Sequence, residues 1–233
     1  MFEVYVESLP VPDDHSKQVN AFKVAEYLFR KNEASSAVVL DLGCGEGNSV
    51  EFFRSLAPEV KWFGIDLASS PEVDRRKRKD ALFIDFDGTK IPFENNYFDI
   101  IFCHQVLEHV RYPSALLKEV ARVLKPKGYF VGSTSQLEPY HSLSTWNYTP
   151  YGFHLLLSEA GLEFLEVRPG IDALTLIIRV GLGRPAFFAR WWSQESPLNS
   201  LIGLIGRLVK KNNRQINFAK LMFCGQFCFL ATK

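Results

Sequence analysis

The stretch 38–48 constrains the fold more than any other part of the chain. It reads Val-Val-Leu-Asp-Leu-Gly-Cys-Gly-Glu-Gly-Asn, an apolar run around one acidic residue followed by three glycines at alternate positions. The pattern predicts a buried strand that breaks into a tight turn before a helix over 49–57. Glycines let a ligand approach the main chain without meeting a Cβ, and a helix start offers unpaired N–H groups. The stretch therefore predicts a nucleotide-binding loop, with a plain strand-to-helix turn as the alternative.

The spacing of the glycines separates this loop from those that bind pyrophosphate. Pyrophosphate loops carry Gly-x-Gly-x-x-Gly, whereas the glycines alternate here. Asp41 precedes the first glycine, and a carboxylate there repels a phosphate and suits a cation. A second predicted strand over 61–68 contains Asp66, whose carboxylate could hold a ribose diol through hydrogen bonds.

Four further motifs follow the glycine loop in a fixed order. They are Gly-Ile-Asp-Leu at 64–67, Asp-Gly-Thr-Lys-Ile-Pro-Phe at 87–93, a run over 97–110 that contains Leu-Glu-His, and Glu-Val-Ala-Arg-Val-Leu-Lys-Pro-Lys-Gly at 119–128. The series covers about residues 18–168 and resembles the class I S-adenosylmethionine-dependent methyltransferases. It is most similar to the type 11-like group, in which a Leu-Glu-His segment follows the fourth strand.

The resemblance implies an α/β fold with a Rossmann-like seven-stranded sheet, in which strand 7 is antiparallel and helices cover both faces. Strands 6 and 7 are usually joined by a short turn in this family, whereas roughly 55 residues separate them here. We therefore expect a single domain over 1–233, with an N-terminal arm and helix at 1–31 and a helical insertion at about 170–222.

Local patterns add approximate bounds for the elements. The predicted helices cover 16–30, 112–124, 149–160 (capped by Thr149) and 197–211, and the remaining strands cover 82–85, 98–103, 129–135, 162–167 and 223–231. Pro126 and Gly128 are expected to end the second of these helices. A basic run over 75–79 is expected to be spread around a solvated helical surface.

The resemblance implies S-adenosylmethionine as the cofactor. The three glycines would shape its methionine pocket, Asp66 would hold the ribose, and Asp87, five residues before Pro92, would meet the adenine amino group. Asp85 is the second choice for the adenine, and a carboxylate that only caps its own turn is the alternative for both. The expected cofactor-binding residues are Asp41, Gly43, Cys44, Gly45, Gly47, Asp66, Leu67, Asp87, Gly88 and His104.

A long aromatic loop over 136–150 leaves the fifth strand and is expected to form the substrate wall. An acceptor hydroxyl needs a base near neutral pH, and histidine has the closest unperturbed pKa. We favour His141 in this loop, where Tyr140, Trp146 and Tyr148 could surround the acceptor, and keep His104 at the end of strand 4 as the alternative base. The expected catalytic residues are His141, His104 and Tyr140.

The family resemblance implies methyl transfer to a small molecule, a glycan or a lipid intermediate, with O-methylation favoured. One alternative is a catalytically silent module that binds S-adenosylmethionine or a partner. A dinucleotide-dependent oxidoreductase is disfavoured because Asp41 stands where phosphates would lie.

Composition narrows the partners and the compartment. A net charge of +1 favours no nucleic-acid partner. Four cysteines beside apolar runs suit a reducing compartment, and the Cys224–Cys228 spacing has no second pair, so no metal is expected. The first nine residues carry Glu3 and Glu7 and do not resemble a secretory signal, so we expect a cytoplasmic protein.

The insertion allows three interpretations. It could cap the acceptor pocket, pair two subunits as a homodimer, or make peripheral contact with a membrane beside a lipid-linked acceptor. Because basic residues gather at only one end of the later helix, we favour packing within the protein or a dimer over membrane contact.

Overall fold

The computed structural model describes residues 8–32 and 36–233. The strands are β1 Val38–Leu42, β2 Lys61–Asp66, β3 Leu82–Asp85, β4 Phe98–His104, β5 Leu124–Ser135, β6 Glu163–Pro169 and β7 Gln226–Thr232. The α-helices are α1 Ala21–Asn32, α2 Val50–Leu56, α3 Pro71–Asp74, α4 Pro113–Val123, α5 Pro150–Glu159, α6 Ala173–Gly181, α7 Pro197–Leu208 and α8 Asn213–Leu221. Short 3-10 helices cover Leu107–His109 and Ala186–Trp192.

The strands form one seven-stranded sheet in the order β3-β2-β1-β4-β5-β7-β6. β7 runs antiparallel to both neighbours, and the other described pairs are parallel. This confirms the expected Rossmann-like α/β fold with an antiparallel strand 7 and a helical insertion before it. The carboxyl ends of the parallel strands therefore share one edge, where an open α/β sheet binds its ligand.

Alternate residues of each central strand face opposite sides of the sheet, and each side carries its own apolar layer. In β4, Ile101 and Cys103 join the layer with α4 and α5, while Ile100 and Phe102 join the layer with α1 and α2. In β7, Phe227 and Phe229 belong to the first layer. Burial on both faces explains why these strands read as continuous apolar runs.

Two expected element boundaries are wrong, because hydrogen bonds to distant elements override the local sequence pattern. α1 begins at Ala21 and not near residue 16, since the segment before it is bound by α8: Asn217 Nδ2 donates to Pro12 O at 3.0 Å and to His15 O at 2.7 Å. Pro126 and Gly128 do not end α4 but lie inside β5. The register of β5 against β4 shifts between Phe98 and Ile100, and such an irregularity accommodates a proline in a strand.

The N-terminal arm is extended where it is described. Leu9 and Val11 are buried in the main core, and Val167 N donates to Pro10 O at 3.0 Å. Residues 1–7, which include most of the stretch compared with a secretory signal, lie outside the described residues. Among the described residues, no helix has the length and apolar character needed to cross a membrane.

The insertion contains α6, the 3-10 helix, α7 and α8. The pattern did not separate α8, although its start carries a capping box in which Asn212 accepts from Gln215 N at 2.9 Å and Gln215 Oε1 accepts from Asn212 N at 3.2 Å. α8 packs on β6 and against α7. The insertion is thus attached to the edge strand of the sheet.

The basic run over 75–79 is not the expected helical surface. α3 ends at Asp74, and the residues that follow are mostly irregular. Arg75 and Arg78 form ion pairs near the surface, with Glu46 at 3.2 Å and with Glu51 at 2.8 Å. Arg76 instead turns toward the glycine loop.

Candidate functional site

The glycine loop closes tightly over the end of β1. Gly43 and Cys44 donate their N–H groups to Ile65 O at 2.9 and 3.1 Å. Gly43 has φ +75°, and a Cβ there would lie 2.3 Å from Val106 Cγ2. Only glycine satisfies both the conformation and the close approach at this position.

Asp41 lies buried beneath the loop, with 4% of its surface exposed. Ser49 Oγ donates to its carboxylate, and Trp62 Nε1 donates to Ser49 Oγ at 3.0 Å. Burial raises the pKa of Asp41 to about 7, and Asp66 adds to the rise while the Ser49 hydrogen bond opposes it. The Ser49 hydroxyl therefore holds Asp41 and does not cap α2, whose start makes no side-chain cap bond.

Arg76 was missed in the sequence and belongs to this loop. Its Nε donates to Gly45 O at 2.7 Å, its Nη2 lies 3.7 Å from Cys44 Sγ, and its guanidinium stacks 4.1 Å from the centre of the Phe83 ring. Cys44 is buried, and burial raises the pKa of its thiol, so this cysteine is an inert wall of the loop.

Asp66 stands half-buried at the end of β2, beside the loop. Its Oδ2 accepts from Gly45 N at 2.7 Å and its Oδ1 from Leu67 N at 2.8 Å. Each carboxylate oxygen has a further lone pair, so the group can still accept hydrogen bonds from two hydroxyls.

Asp87 and Asp85 are both exposed at the end of β3. Asp87 Oδ1 accepts from Thr89 N at 2.8 Å and Lys90 N at 2.7 Å, and these bonds lower the pKa of its carboxyl. Asp87 therefore caps its own turn, with Oδ2 left for a ligand. The adjacent Gly88 has φ +82°, and a Cβ on it would lie 3.4 Å from Leu67 Cδ2. Leu67 and Gly88 thus border one surface at the end of β2 and β3.

A polar network crosses the ends of β4 and β5. His104 Nδ1 lies 2.7 Å from Ser133 Oγ, and burial lowers the pKa of His104 to about 4. Gln105 follows with φ +56°, an unfavourable conformation for a non-glycine residue that marks a constrained position. Oriented to satisfy its neighbours, its amide oxygen accepts from Ser133 Oγ at 3.1 Å and its nitrogen lies 2.9 Å from Glu108 Oε1.

Glu108 and Glu138 continue the network and were not expected in the site. Glu108 is fully buried and accepts from Thr134 Oγ1 at 3.0 Å. Burial raises the pKa of Glu108 to about 7, and the nearby Glu138 raises it further. Glu138 Oε2 accepts from Ser135 Oγ at 2.7 Å and from Gln226 Nε2 at 2.8 Å. Glu108 stands in the Leu-Glu-His segment, so the sequence did mark its position but not its burial.

His141 lies at the end of this network. Its Nδ1 is 3.2 Å from Pro139 O and 3.9 Å from Glu138 Oε1, and its ring meets the His109 ring edge-on at 5.2 Å. Nδ1 close to a carbonyl oxygen carries the proton in the neutral ring, which leaves Nε2 with a free lone pair. His109 is therefore a neighbour of the expected base.

The loop that carries His141 is fastened to the turn after β4. Glu108 O accepts from Thr145 N at 2.6 Å and Trp146 N at 3.0 Å, and Trp146 Nε1 donates to Val110 O at 2.9 Å. Tyr148 OH donates to Leu107 O at 2.9 Å, and its ring is buried. Tyr148 and the Trp146 indole thus hold the loop, contrary to their expected role around the acceptor.

Tyr140 lies in the same loop with 74% of its surface exposed. Its expected catalytic role stays a prediction.

Three side chains of types that bind divalent cations meet at the same place. Glu108, His109 and His141 each place one ligand atom within 4.8 Å of the others. The sequence led us to expect no metal, and the four cysteines are buried and separate from this cluster. The cluster can hold a proton or a divalent cation.

Known proteins share this chain's motifs and fold. A family model described as a methyltransferase domain matches residues 40–132. The chain is 28% identical over 209 residues to a fatty-acid O-methyltransferase of Mycolicibacterium smegmatis, covering 83% of this chain and 73% of that protein. It is 30% identical over 148 residues to a ubiquinone biosynthesis O-methyltransferase of Xanthomonas oryzae pv. oryzae, covering 60% of this chain and 55% of that protein.

The fold is also similar to that of solved structures. A putative sarcosine dimethylglycine methyltransferase from Galdieria sulphuraria superposes with a TM-score of 0.57 at 17% identity, covering 100% of this chain and 97% of the other. At this identity the likeness concerns the fold alone. The chain covers 73% of the length of the fatty-acid O-methyltransferase. It covers less of other curated relatives, from 37% to 58% of their length.

Proposed function

Because this chain belongs to the class I S-adenosylmethionine-dependent methyltransferases, we propose that it methylates an oxygen of an apolar small molecule or lipid intermediate. A glycan acceptor is the less favoured choice. The names of the two curated relatives, which act on a fatty acid and in ubiquinone biosynthesis, support an apolar acceptor and O-methylation. The observation that carries the proposal is the position of His141 beside Glu138 and Glu108, with its Nδ1 turned to Pro139 O so that Nε2 keeps its lone pair.

The residues around the glycine loop fit the cofactor. The loop has no side chains at Gly45 and Gly47, and the half-buried Asp66 and the Leu67–Gly88 surface border it. In the proposal Asp66 binds the ribose and Asp87 Oδ2 the adenine amino group, while Asp41 orders the loop. When bound, S-adenosylmethionine supplies a methyl group on a positively charged sulfur, and the C–S bond breaks as the new C–O bond forms.

The chain's own contribution is alignment and proton removal. His141 Nε2 takes the acceptor's proton, and Pro139 O fixes the tautomer that leaves Nε2 free. Glu138, 3.9 Å from Nδ1, stabilises the charge that His141 gains. His104 is a poorer base, since its pKa of about 4 leaves it a weak proton acceptor at neutral pH.

Turnover of His141→Ala tests this assignment. With a phenol or alcohol acceptor, we expect turnover to fall about 10²- to 10⁴-fold, the usual contribution of a general base. With a carboxylic acid, which is already ionised, the loss should be much smaller. Label transfer from radioactive S-adenosylmethionine gives the rate, and His154→Asn on α5, whose ring stacks on Phe164, serves as the matched control.

Three results would contradict the proposal. Full turnover of a hydroxyl acceptor by His141→Ala would show that His141 is not the base. Activity that is lost with a chelator and restored by a divalent cation would instead assign His141, with Glu108 and His109, to a metal. Binding of S-adenosylhomocysteine without turnover on any acceptor would favour the catalytically silent module.

A further inference from the structure

The two long helices of the insertion expose their apolar faces. On α6 the exposed side chains are Leu174, Ile177 and Ile178, and on α7 they are Leu201, Leu204, Ile205 and Leu208. Positions spaced by three and four residues lie on one side of a helix, so each set forms a continuous stripe. Leu182 and Phe187, between the helices, are exposed as well.

The inward side of α7 explains why its leucines face outward. Its buried residues are Asn199, Gly203 and Gly206. A Cβ on Gly206 would lie 2.6 Å from Ile216 Cγ1, so the bare backbone of α7 rests directly on α8. The polarity is therefore the reverse of that of an ordinary surface helix, which buries its apolar stripe.

Basic residues surround this apolar surface. Arg184, Arg190, Arg207, Lys210 and Lys211 are exposed, and none pairs with a carboxylate in the described part of the chain. The acidic residues of 170–211 are Asp172 and Glu195. Asp172 is buried and caps α6, and Glu195 pairs with the buried Lys220. Arg207, Lys210 and Lys211 thus lie at the one end of α7 where the sequence placed basic residues, and Arg184 and Arg190 add two cations in the segment between α6 and α7.

The charge decides between the two occupants that an apolar surface could have. A two-fold dimer would bring the same patch of five cations against itself, and charged residues are depleted at the centre of such interfaces. An anionic lipid surface offers an apolar layer for the leucines and phosphates for the cations. Arg190 also stacks 4.3 Å from the Trp191 ring, and tryptophan is enriched where apolar and polar layers of a membrane meet.

The surface adjoins the loop that carries His141. Ala173 N, at the start of α6, donates to Phe223 O at 2.9 Å, and Leu137 N donates to Cys224 O at 3.3 Å. Phe223 and Leu137 are both exposed. Apolar side chains therefore continue from the two helices to the acceptor loop.

We propose that α6, α7 and the segment between them dock on an anionic phospholipid bilayer. The docking face comprises Leu174, Ile177, Ile178, Leu182, Phe187, Leu201, Leu204, Ile205 and Leu208 with the five cations around them. The docking face inserts shallowly, and the loop over 136–150, which carries His141, then faces the membrane. Membrane docking adds a partner to the proposed enzyme and is measured without cofactor or acceptor. A failure to bind membranes would therefore leave the methyl-transfer proposal in place.

Vesicle flotation of the full chain tests the docking face. We expect binding to vesicles of phosphatidylglycerol and phosphatidylcholine in equal parts, and at least about tenfold weaker binding to phosphatidylcholine alone. The double variant Leu204→Glu/Leu208→Glu should lose binding, whereas Leu155→Glu, an exposed leucine of α5, should keep it. Lys210→Ala/Lys211→Ala should weaken binding about 30-fold, and the control Lys118→Ala/Lys127→Ala should not.

Three outcomes would overturn the proposal. The first is wild-type protein that stays with the aqueous fraction, and the second is Leu204→Glu/Leu208→Glu protein that floats like the wild type. The third is a wild-type dimer, measured by light scattering, that this variant converts to a monomer. Unchanged S-adenosylhomocysteine affinity and thermal unfolding of the variants would show that they are folded.

Discussion

The buried Asp41 and Glu108 and the partly buried His104 define the electrostatics of the site. Burial raises the pKa of Asp41 and of Glu108 to about 7 and lowers that of His104 to about 4. Each shift disfavours the charged form, as expected where water is excluded. A charged ligand bound at this edge of the sheet would therefore interact with nearby charges more strongly than it would in water.

The raised pKa of Asp41 predicts a pH dependence of stability. Its folded pKa of about 7 lies above the ordinary aspartate pKa of 3.8, which applies to the unfolded chain, so between these values the folded protein keeps a proton that the unfolded chain has released. The free energy of unfolding should therefore fall as pH rises through this window and level off above it. Asp41→Asn cannot ionise and should escape that loss.

Urea unfolding of both proteins at about pH 5 and about pH 8 measures the effect. We expect the free energy of unfolding of Asp41→Asn minus that of wild type to be larger at the higher pH by about 2–3 kcal/mol, from about 1.4 kcal/mol per pH unit. Parallel pH profiles for the two proteins would contradict a buried, proton-binding Asp41.

At the scale of elements, Gln18 joins the N-terminal arm to the insertion. Its Oε1 accepts from Ser196 N at 3.0 Å, from Ser196 Oγ at 2.8 Å and from Asn199 Nδ2 at 2.7 Å. Its Nε2 donates to Trp191 O at 2.7 Å. One buried amide therefore fixes the segment before α7 against the chain before α1.

Gln18→Ala should reduce the free energy of unfolding by about 2–4 kcal/mol, because it leaves the buried Ser196 and Asn199 without their acceptor. Gln194→Ala, at an exposed glutamine of the same insertion, should change it by less than about 0.5 kcal/mol. Chemical unfolding monitored by tryptophan fluorescence gives both values. An equal loss in the two variants would show that Gln18 does not join the arm to the insertion.

Elements with local signals could be predicted, and those held by distant partners could not. Thr149, Pro150 and Gly161 mark α5 in the sequence, and Thr149 Oγ1 accepts from Gly152 N at 3.1 Å. α8 has no clear apolar period because it buries Asn217 and Lys220, whose partners lie in the arm about 200 positions away. The pattern of α7 predicted a helix, yet which face is exposed depends on how Gly206 packs on α8.

The same distinction holds for the whole molecule. The motif series marks the glycine loop, Asp66 and the strand ends, because each motif is one strand and its following turn. The network from His104 to His141 comes from β4, β5, β7 and a loop, and Arg76 reaches the glycine loop from an irregular segment. These contacts join residues that are far apart in the sequence, so they depend on the tertiary fold. We propose that the insertion belongs to a single domain with the sheet, since α8 packs on β6.

The central claim is a cofactor site at the carboxyl edge of the sheet, anchored by Asp66. Calorimetric titration with S-adenosylhomocysteine tests it most directly, with Asp13→Ala, at an exposed aspartate of the N-terminal arm, as the control. We predict that wild type binds, that Asp66→Ala binds about 1.5–3 kcal/mol more weakly through the loss of hydrogen bonds to a charged group, and that Asp13→Ala binds like wild type. Unchanged affinity in a folded Asp66→Ala protein, or no binding by wild type, would contradict the account.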